Sequence, residues 1–223
     1  SASDRVLVHA GAPRRNGHAA MADLLAAVRG DGQVARLAPD QALEIARRSP
    51  VDLVEYRLGL IARWAHPRHR FDDRFVERTL AVDVEAAPGA GAGNGRQRFG
   101  SFRHALDEID EPALVVLGPP GTGKSTLLRH YEFETALDGL RGDGEVITFF
   151  VPLNQFGATT PGGAVPEPCD WLSARWAARA PDLPALDDLL PDGRVVLLLD
   201  GLNEIAYREP AEYRAHLMLW KRF

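Results

Sequence analysis

The sequence predicts an α/β fold in which helices cover both faces of a parallel sheet. Two observations lead to this prediction: short apolar runs alternate with helical stretches after residue 99, and a glycine-rich loop joins one such run to a helix. Strands that alternate with helices in this way run parallel in one sheet. The chain has 223 residues, 45% of them hydrophobic, which is enough for a substantial buried core.

Residues 1–86 are predicted to form a small α/β or mostly helical N-terminal segment with a βα-like start. The third helix of this segment has the clearest signals, because Ser49 can act as its N-cap and Pro50 fits the first helical position. The expected elements are strands at 5–10, 34–37 and 75–84, a turn at 11–17, and helices at 18–28, 40–48 and 50–65.

A stretch rich in glycine and alanine follows this segment. Residues 87–95 read Ala-Pro-Gly-Ala-Gly-Ala-Gly-Asn-Gly, which is a composition too poor in large side chains to pack. We interpret residues 87–98 as a linker or an inserted loop, and we place the main boundary of the chain there. Residues 99–223 are then the second unit.

The second unit is predicted to alternate helices and strands. Its first helix begins after Ser101, which is a good N-cap residue, and the apolar runs that follow are typical of buried parallel strands. The expected strands are 113–117, 145–153 and 194–199, and the expected helices are 102–109, 124–137, 171–180, 186–190 and 210–223.

Residues 118–125 read Gly-Pro-Pro-Gly-Thr-Gly-Lys-Ser and match the Walker A pattern G-x-x-x-x-G-K-[ST] in full. Glycines let backbone N–H groups turn inward around phosphate oxygens, and the N-terminus of the next helix adds partial positive charge. Lys124 would reach the β- and γ-phosphates, and Ser125 would offer its hydroxyl to Mg²⁺. The predicted nucleotide-binding residues are Gly118, Pro119, Pro120, Gly121, Thr122, Gly123, Lys124, Ser125 and Thr126.

The choice of lysine at position 124 supports this interpretation. All but two of the 26 cationic side chains are Arg, and the two lysines are Lys124 and Lys221. A compact ammonium fits inside a phosphate-binding loop, whereas a guanidinium would crowd it.

A second motif, of the Walker B type, ends the apolar run at 195–199. Asp200 follows this run directly, at the carboxyl end of a predicted parallel strand, where open sheets bind their ligands. Asp200 would hold Mg²⁺ directly or through water, and Glu204 can orient or deprotonate an attacking water. ATP and Mg²⁺ are therefore the predicted cofactors, with Lys124, Asp200 and Glu204 as the catalytic candidates and Ser125 and Asp200 as the metal ligands.

Residues 118–128 and 189–205 together resemble a NACHT domain of bacterial type, a branch of the STAND signal-transduction ATPases. The small Gly201 directly after the acid is a mark of this branch, and residues 151–154 resemble the strand between the two motifs. Residues 56–83 are similar to the lead-in before some bacterial members. The resemblance implies a three-layer P-loop NTPase core and a switch that couples trigger sensing to self-association and effector output, often in defence against phage.

The resemblance also implies elements beyond those seen here, including further strands, a helical lid and a winged helix. We therefore expect these residues to be the front part of a longer polypeptide with an incomplete sheet. In such a fragment, some apolar side chains of the last helix should stay exposed, among them those of Tyr213, Leu217, Leu219 and Trp220.

Position 203 departs from the family pattern, because members commonly carry an acid there and this chain has Asn203. An amide cannot act as a base, so slow ATP hydrolysis is expected, with Glu204 as the remaining candidate. Two alternatives stay open: a scaffold that nucleotide stabilises with negligible hydrolysis, and a P-loop kinase of small molecules.

Composition excludes other classes of protein. The net charge is −5, so no nucleic-acid partner is indicated, and no apolar run approaches the roughly 20 residues that span a bilayer. Cys169 is the single cysteine, which excludes an internal disulfide and fits a reducing compartment. The sequence thus predicts a cytoplasmic protein without a membrane partner.

Overall fold

The computed structural model describes residues 7–8, 17–30, 36–37, 39–64, 79–83, 96–142, 144–156, 165–205, 207 and 209–223. The helices are α1 Gly17–Arg29, α2 Pro39–Arg47, α3 Leu53–Trp64, α4 Phe102–Glu108, α5 Lys124–Arg141, α6 Pro168–Arg179, α7 Leu186–Leu189 and α8 Pro210–Arg222. The strands are β1 Leu7–Val8, β2 Arg36–Leu37, β3 Leu80–Asp83, β4 Arg96–Phe99, β5 Ile147–Pro152 and β6 Val195–Asp200. None of the described helices is long and apolar enough to cross a membrane.

The central sheet is the parallel pair of β5 and β6. Ile147 lies opposite Val195, and the register continues to Pro152 opposite Asp200. Both strands therefore end at the same edge, and the prediction of two parallel strands here is confirmed.

Helices pack on both sides of this sheet. Successive strand residues point to opposite faces, and in β5 Phe149 meets Trp176 of α6 at 5.2 Å between ring centroids. Its neighbour Phe150 meets Trp64 of α3 at 5.6 Å. The same cluster of apolar side chains includes Leu128 of α5, so α3 and α5 share one side of the sheet.

The predicted strand at 113–117 is wrong, because these residues form no strand in the structure. Val115 and Leu117 are 76% and 85% exposed. A run of apolar residues becomes a buried strand only where a neighbour pairs with its backbone, and strand propensity depends on that context. Among the described residues β6 pairs with β5 alone, and its other edge carries no strand.

Two small sheets precede this core. β1 pairs with β2 in parallel, with α1 between them in the chain, and β3 pairs with β4 antiparallel. Residues 96–98, which the sequence assigned to the linker, lie in β4. The predicted glycine-rich stretch at 87–95, residues 11–16 of the predicted turn and residues 75–78 of the predicted strand at 75–84 lie outside the described residues. Gly17, the last residue of that predicted turn, begins α1. The division of the chain at residues 87–98 stays a prediction.

The third helix begins later than predicted. Ser49 does not cap it; instead, Asp52 Oδ1 accepts a hydrogen bond from the backbone N–H of Glu55 at 2.8 Å. The Glu55 carboxylate in turn accepts from the N–H of Val51 at 3.2 Å. This reciprocal pair satisfies two otherwise open donors at the start of α3, as a capping box does, and it explains why the helix starts at Leu53.

The last helix, α8, buries more of its apolar surface than expected. Trp220 is buried against Phe156, with ring centroids 5.0 Å apart, and it also contacts Trp171. Tyr213, Leu217 and Leu219 are half-buried, whereas Met218 and Phe223 stay exposed. The expectation of exposure is therefore wrong for Trp220, and the other three side chains that it named keep only partial exposure.

Two helix-interior glycines allow a matched test of the packing. A Cβ at Gly139 of α5 would overlap the guanidinium of Arg57, whereas a Cβ at Gly59 of α3 would meet only a carbonyl at 3.8 Å. Gly59→Ala should raise the free energy of unfolding by about 0.5–1 kcal/mol, because alanine is the better helix former. Gly139→Ala should lower it, because the guanidinium loses its place. Urea unfolding of both variants tests this, and a stabilised Gly139→Ala would contradict the packing described here.

Candidate functional site

The loop at residues 118–125 adopts a backbone that only glycine adopts readily at two positions. Gly121 and Gly123 have φ angles of +76° and +85°, in the left-handed region. At Gly118 the constraint is space, since a Cβ would lie 3.0 Å from Thr122 Oγ1. The tightly wound backbone of this loop therefore requires glycine at these positions of the motif.

Lys124 is the first residue of α5, and its ammonium turns back onto the loop. Nζ donates to the carbonyl oxygens of Gly118 at 2.7 Å and Pro119 at 3.0 Å. The hydroxyl of Thr122 donates to the same Pro119 oxygen at 2.8 Å. An ammonium has three donors, so these two contacts leave one donor for another acceptor.

The N-terminus of α5 lies directly behind this ammonium. Gly123 is the N-cap residue, and no side chain caps the first turn. The first N–H groups of a helix lack partners inside the helix and carry partial positive charge. Together with Lys124 they form the kind of site that binds a phosphate. The remaining predicted residues, Pro119, Pro120 and Thr126, are exposed around it.

Ser125 and Asp200, the two predicted metal ligands, are in contact. Ser125 Oγ donates to Asp200 Oδ1 at 2.8 Å. Ser125 lies in the first turn of α5, and Asp200 is the last residue of β6. The contact joins the loop to the edge of the sheet at which β5 and β6 both end.

The oxygens of this pair suit a small divalent cation. Mg²⁺ prefers hydroxyl, carboxylate, phosphate and water oxygens, and protein usually supplies only one or two of them. Within the described residues no group of three or more His, Cys, Asp or Glu side chains could hold a metal ion. The donor set therefore fits a cation whose other ligands are phosphate oxygens and water.

Glu204 lies at the end of a 3-10 turn after β6, Leu202–Glu204, and its side chain is exposed. Gly201 has a φ of +78°, and a Cβ there would lie 3.1 Å from Glu204 Oε2. The small residue after Asp200 thus allows this carboxylate to fold back over the chain. In the part of the chain that the structure describes, no hydrogen bond or ion pair joins Glu204 to Lys124 or Ser125.

The segment at 151–154 reaches the same edge from the other strand. Pro152 lies opposite Asp200 in the parallel register, and a 3-10 turn, Leu153–Gln155, begins directly after it. Leu153 is buried and Asn154 is exposed. This turn and the turn that carries Glu204 are neighbours, so the chain departs from both strands on one side of the site.

Sequence reasoning missed Glu132, a fully buried acid in the middle of α5. Its Oε1 accepts from the backbone N–H of Phe150 at 3.0 Å, and its Oε2 accepts from the indole N–H of Trp64. The guanidinium of Arg179 lies 3.9 Å from Oε1. No local pattern distinguishes this acid from the neighbouring Glu134, which is half-exposed. One feature of the sequence could have drawn attention to Glu132: it follows Ser125 by seven residues, which places both side chains on the same side of the helix.

Comparison with known proteins gives one match. Residues 113–221 match the family model described as the NACHT domain. Neither the curated proteins nor the solved structures contain a match to the chain. The matched range includes the loop of residues 118–125, Asp200 and Glu204. The match therefore identifies residues 113–221 as a NACHT domain, which is a domain of the P-loop NTPase type.

Proposed function

We propose that the chain binds Mg·ATP at the loop of residues 118–125 and acts as a nucleotide-controlled signalling switch with slow hydrolysis. The contact between Ser125 and Asp200 carries this proposal, because it brings the two predicted metal ligands together beside the loop. The match to a NACHT domain supports a nucleoside triphosphatase of signalling type.

Each part of the site has a role in this proposal. The N–H groups at the start of α5 bind the phosphates, and Lys124 exchanges its contacts with Gly118 and Pro119 for phosphate oxygens. Ser125 and Asp200 hold Mg²⁺, which neutralises charge on the phosphate oxygens when it is bound. The choice of ATP over other triphosphates rests on the family resemblance.

The wider role is also proposed from the resemblance. A switch of this kind would couple its nucleotide state to self-association and to an effector output, in the cytoplasm of a bacterium defending itself against phage. The family match supports the switch class of the domain.

A scaffold with negligible hydrolysis is the second candidate, and two observations favour it. Asn203 is an amide and cannot take up a proton from water as a base would. Glu204 is folded back over Gly201 and makes no hydrogen bond to the loop residues that the structure describes. Both functions require the same nucleotide site, and they differ only in turnover.

Removal of the loop lysine tests the nucleotide site. Lys124→Ala should weaken Mg·ATP binding by about 1.5–3 kcal/mol, the value of one hydrogen bond to a charged group. Lys221→Ala is the matched control, because it removes the other lysine of the chain, which is exposed on α8. Calorimetric titration with Mg·ATP measures the affinity of both variants and of the wild type. Equal affinities for Lys124→Ala and the wild type would contradict the assignment of the nucleotide site to this loop.

The metal assignment predicts how affinity depends on Mg²⁺. The wild type should bind ATP at least about tenfold more tightly with Mg²⁺ than with a chelator present, a difference of about 1.4 kcal/mol. Asp200→Asn should lose this difference, because an amide is a weaker ligand for Mg²⁺ than a carboxylate. Asp192→Asn is the matched control, because Asp192 is exposed and lies before β6, and this variant should keep the full effect of Mg²⁺ on ATP affinity. A full Mg²⁺ effect in Asp200→Asn would remove that residue from the metal site.

Turnover distinguishes the switch from the scaffold. We expect hydrolysis below about 1 per second, the low end of ordinary enzyme rates, because Asn203 removes one candidate carboxylate. Asn203→Asp should raise the rate with binding similar, and Glu204→Gln should abolish what remains. Phosphate release under saturating Mg·ATP measures both. No turnover in the wild type would favour the scaffold, and a rate well above 1 per second would refute the assignment of slow hydrolysis.

A further inference from the structure

We propose that α3, which precedes the matched family domain, positions the phosphate-loop helix α5 and thereby sets the affinity for Mg·ATP, with Glu132 as the positioning residue. The inference rests on the proposed nucleotide binding and adds a means of control from the N-terminal segment. Two contacts between α3 and α5, and the position of Ser125 relative to them, carry it.

The first contact lies at the C-terminal end of α5. Arg57 of α3 is buried, and its guanidinium donates to the carbonyl oxygens of Gly139 at 2.8 Å and Gly144 at 3.1 Å. Carbonyl groups at the end of a helix lack partners inside it and carry partial negative charge, which a cation stabilises. Gly139 leaves the space that the guanidinium occupies. Arg57 thus fixes one end of α5.

The second contact lies in the middle of α5. The indole N–H of Trp64 donates to Glu132, and the other carboxylate oxygen accepts from the N–H of Phe150 in β5. The ring of Trp64 also packs edge-on against Phe150, and the guanidinium of Arg129 lies 5.5 Å from its centroid. A buried carboxylate needs such partners, because burying it without them is costly. Glu132 is therefore held from α3 and from the sheet at once.

These contacts define the direction of the two helices. Arg57 contacts Gly139, and Trp64 contacts Glu132. Trp64 comes seven residues after Arg57 in α3, whereas Glu132 comes seven residues before Gly139 in α5. Seven residues are about two turns of helix. The helices consequently run antiparallel, and the C-terminal end of α3 points toward the N-terminal end of α5, which directly follows the loop.

Ser125 lies on the same side of α5 as these contacts. It precedes Glu132 by seven residues, which places both residues on one face two turns apart. A rotation of α5 by about 25° about its axis would move each Cα by about 1 Å, since the Cα radius is about 2.3 Å. Such a shift would break the 2.8 Å contact between Ser125 and Asp200. Glu132, held on two sides, prevents this rotation.

A double-mutant cycle tests the role of Glu132. Trp64→Phe keeps an aromatic ring, although a smaller one, and removes the indole N–H. Glu132→Gln keeps an acceptor for Phe150 but turns an NH₂ group toward the indole N–H. Each single variant should weaken Mg·ATP binding about five- to tenfold, the lower range for coupled sites. The double variant should weaken it by less than the product of the two effects, because it lacks the donor-to-donor contact.

Trp171→Phe is the matched control, since it makes the same chemical change in α6, where Trp171 is buried against Phe156 and Trp220. It should lower the melting temperature of the full chain and leave the dissociation constant unchanged. If either variant of the cycle fails to fold, Arg57→Lys replaces it. Lysine keeps the positive charge but cannot donate from two guanidinium nitrogens to two carbonyl oxygens at once. Arg57→Lys should also weaken Mg·ATP binding.

The outcomes separate this inference from the proposed function. A wild type that binds Mg·ATP, with weakened binding in the cycle variants and unchanged binding in Trp171→Phe, supports positioning by α3. Unchanged binding in the cycle variants or in Arg57→Lys, or an equal loss in Trp171→Phe, reduces α3 to a structural role and overturns the inference. A wild type that does not bind Mg·ATP refutes the proposed function and, with it, the inference.

Discussion

The buried carboxylate of Glu132 is the interaction on which the arrangement of this core depends. It lies in α5 without any exposure and accepts hydrogen bonds from a side chain of α3 and from the backbone of β5, with Arg179 of α6 close by. A carboxyl group in such a place needs hydrogen-bond partners, because burying a polar group without them costs free energy. Elements from four parts of the chain, α3, α5, β5 and α6, thereby meet around one group.

The buried tyrosine of α3 adds a neutral contact to the same arrangement. The hydroxyl of Tyr56 donates to the carbonyl oxygen of Thr148 in β5 at 2.8 Å, and burial raises its pKa to about 12. The phenol therefore remains a donor over the whole ordinary pH range. With Arg57 and Trp64 it gives α3 three polar contacts to the core, all made by residues outside the matched family domain. The helix belongs to the packing of the NTPase core, wherever the domain boundary is drawn.

The parts of the site that sequence predicted are those fixed by local chemistry. The loop glycines follow from backbone geometry, as the positive φ angles of Gly121 and Gly123 show. Asp200 follows from an apolar strand that ends in an acid, and its contact with Ser125 is what such a placement predicts. The parts that sequence missed depend on partners far along the chain. β4 has the polar sequence Arg-Gln-Arg-Phe and forms only because β3 pairs with it. Glu132 is buried only because Trp64 and Phe150 reach it.

Residues 113–117 form no strand, although one was predicted, and this changes which contacts hold the loop that follows them. In a fully paired sheet, the strand before a phosphate-binding loop would anchor the loop from its N-terminal side. Here Val115 and Leu117 of that segment are exposed, and the segment pairs with no strand among the described residues. In the part of the chain that the structure describes, Thr122 closes the loop on Pro119, and Lys124 and Ser125 at the start of α5 make the other side-chain hydrogen bonds of the loop. The geometry of the site therefore depends on the placement of α5, and Glu132 and Arg57 are among the contacts that place α5 against α3 and the sheet.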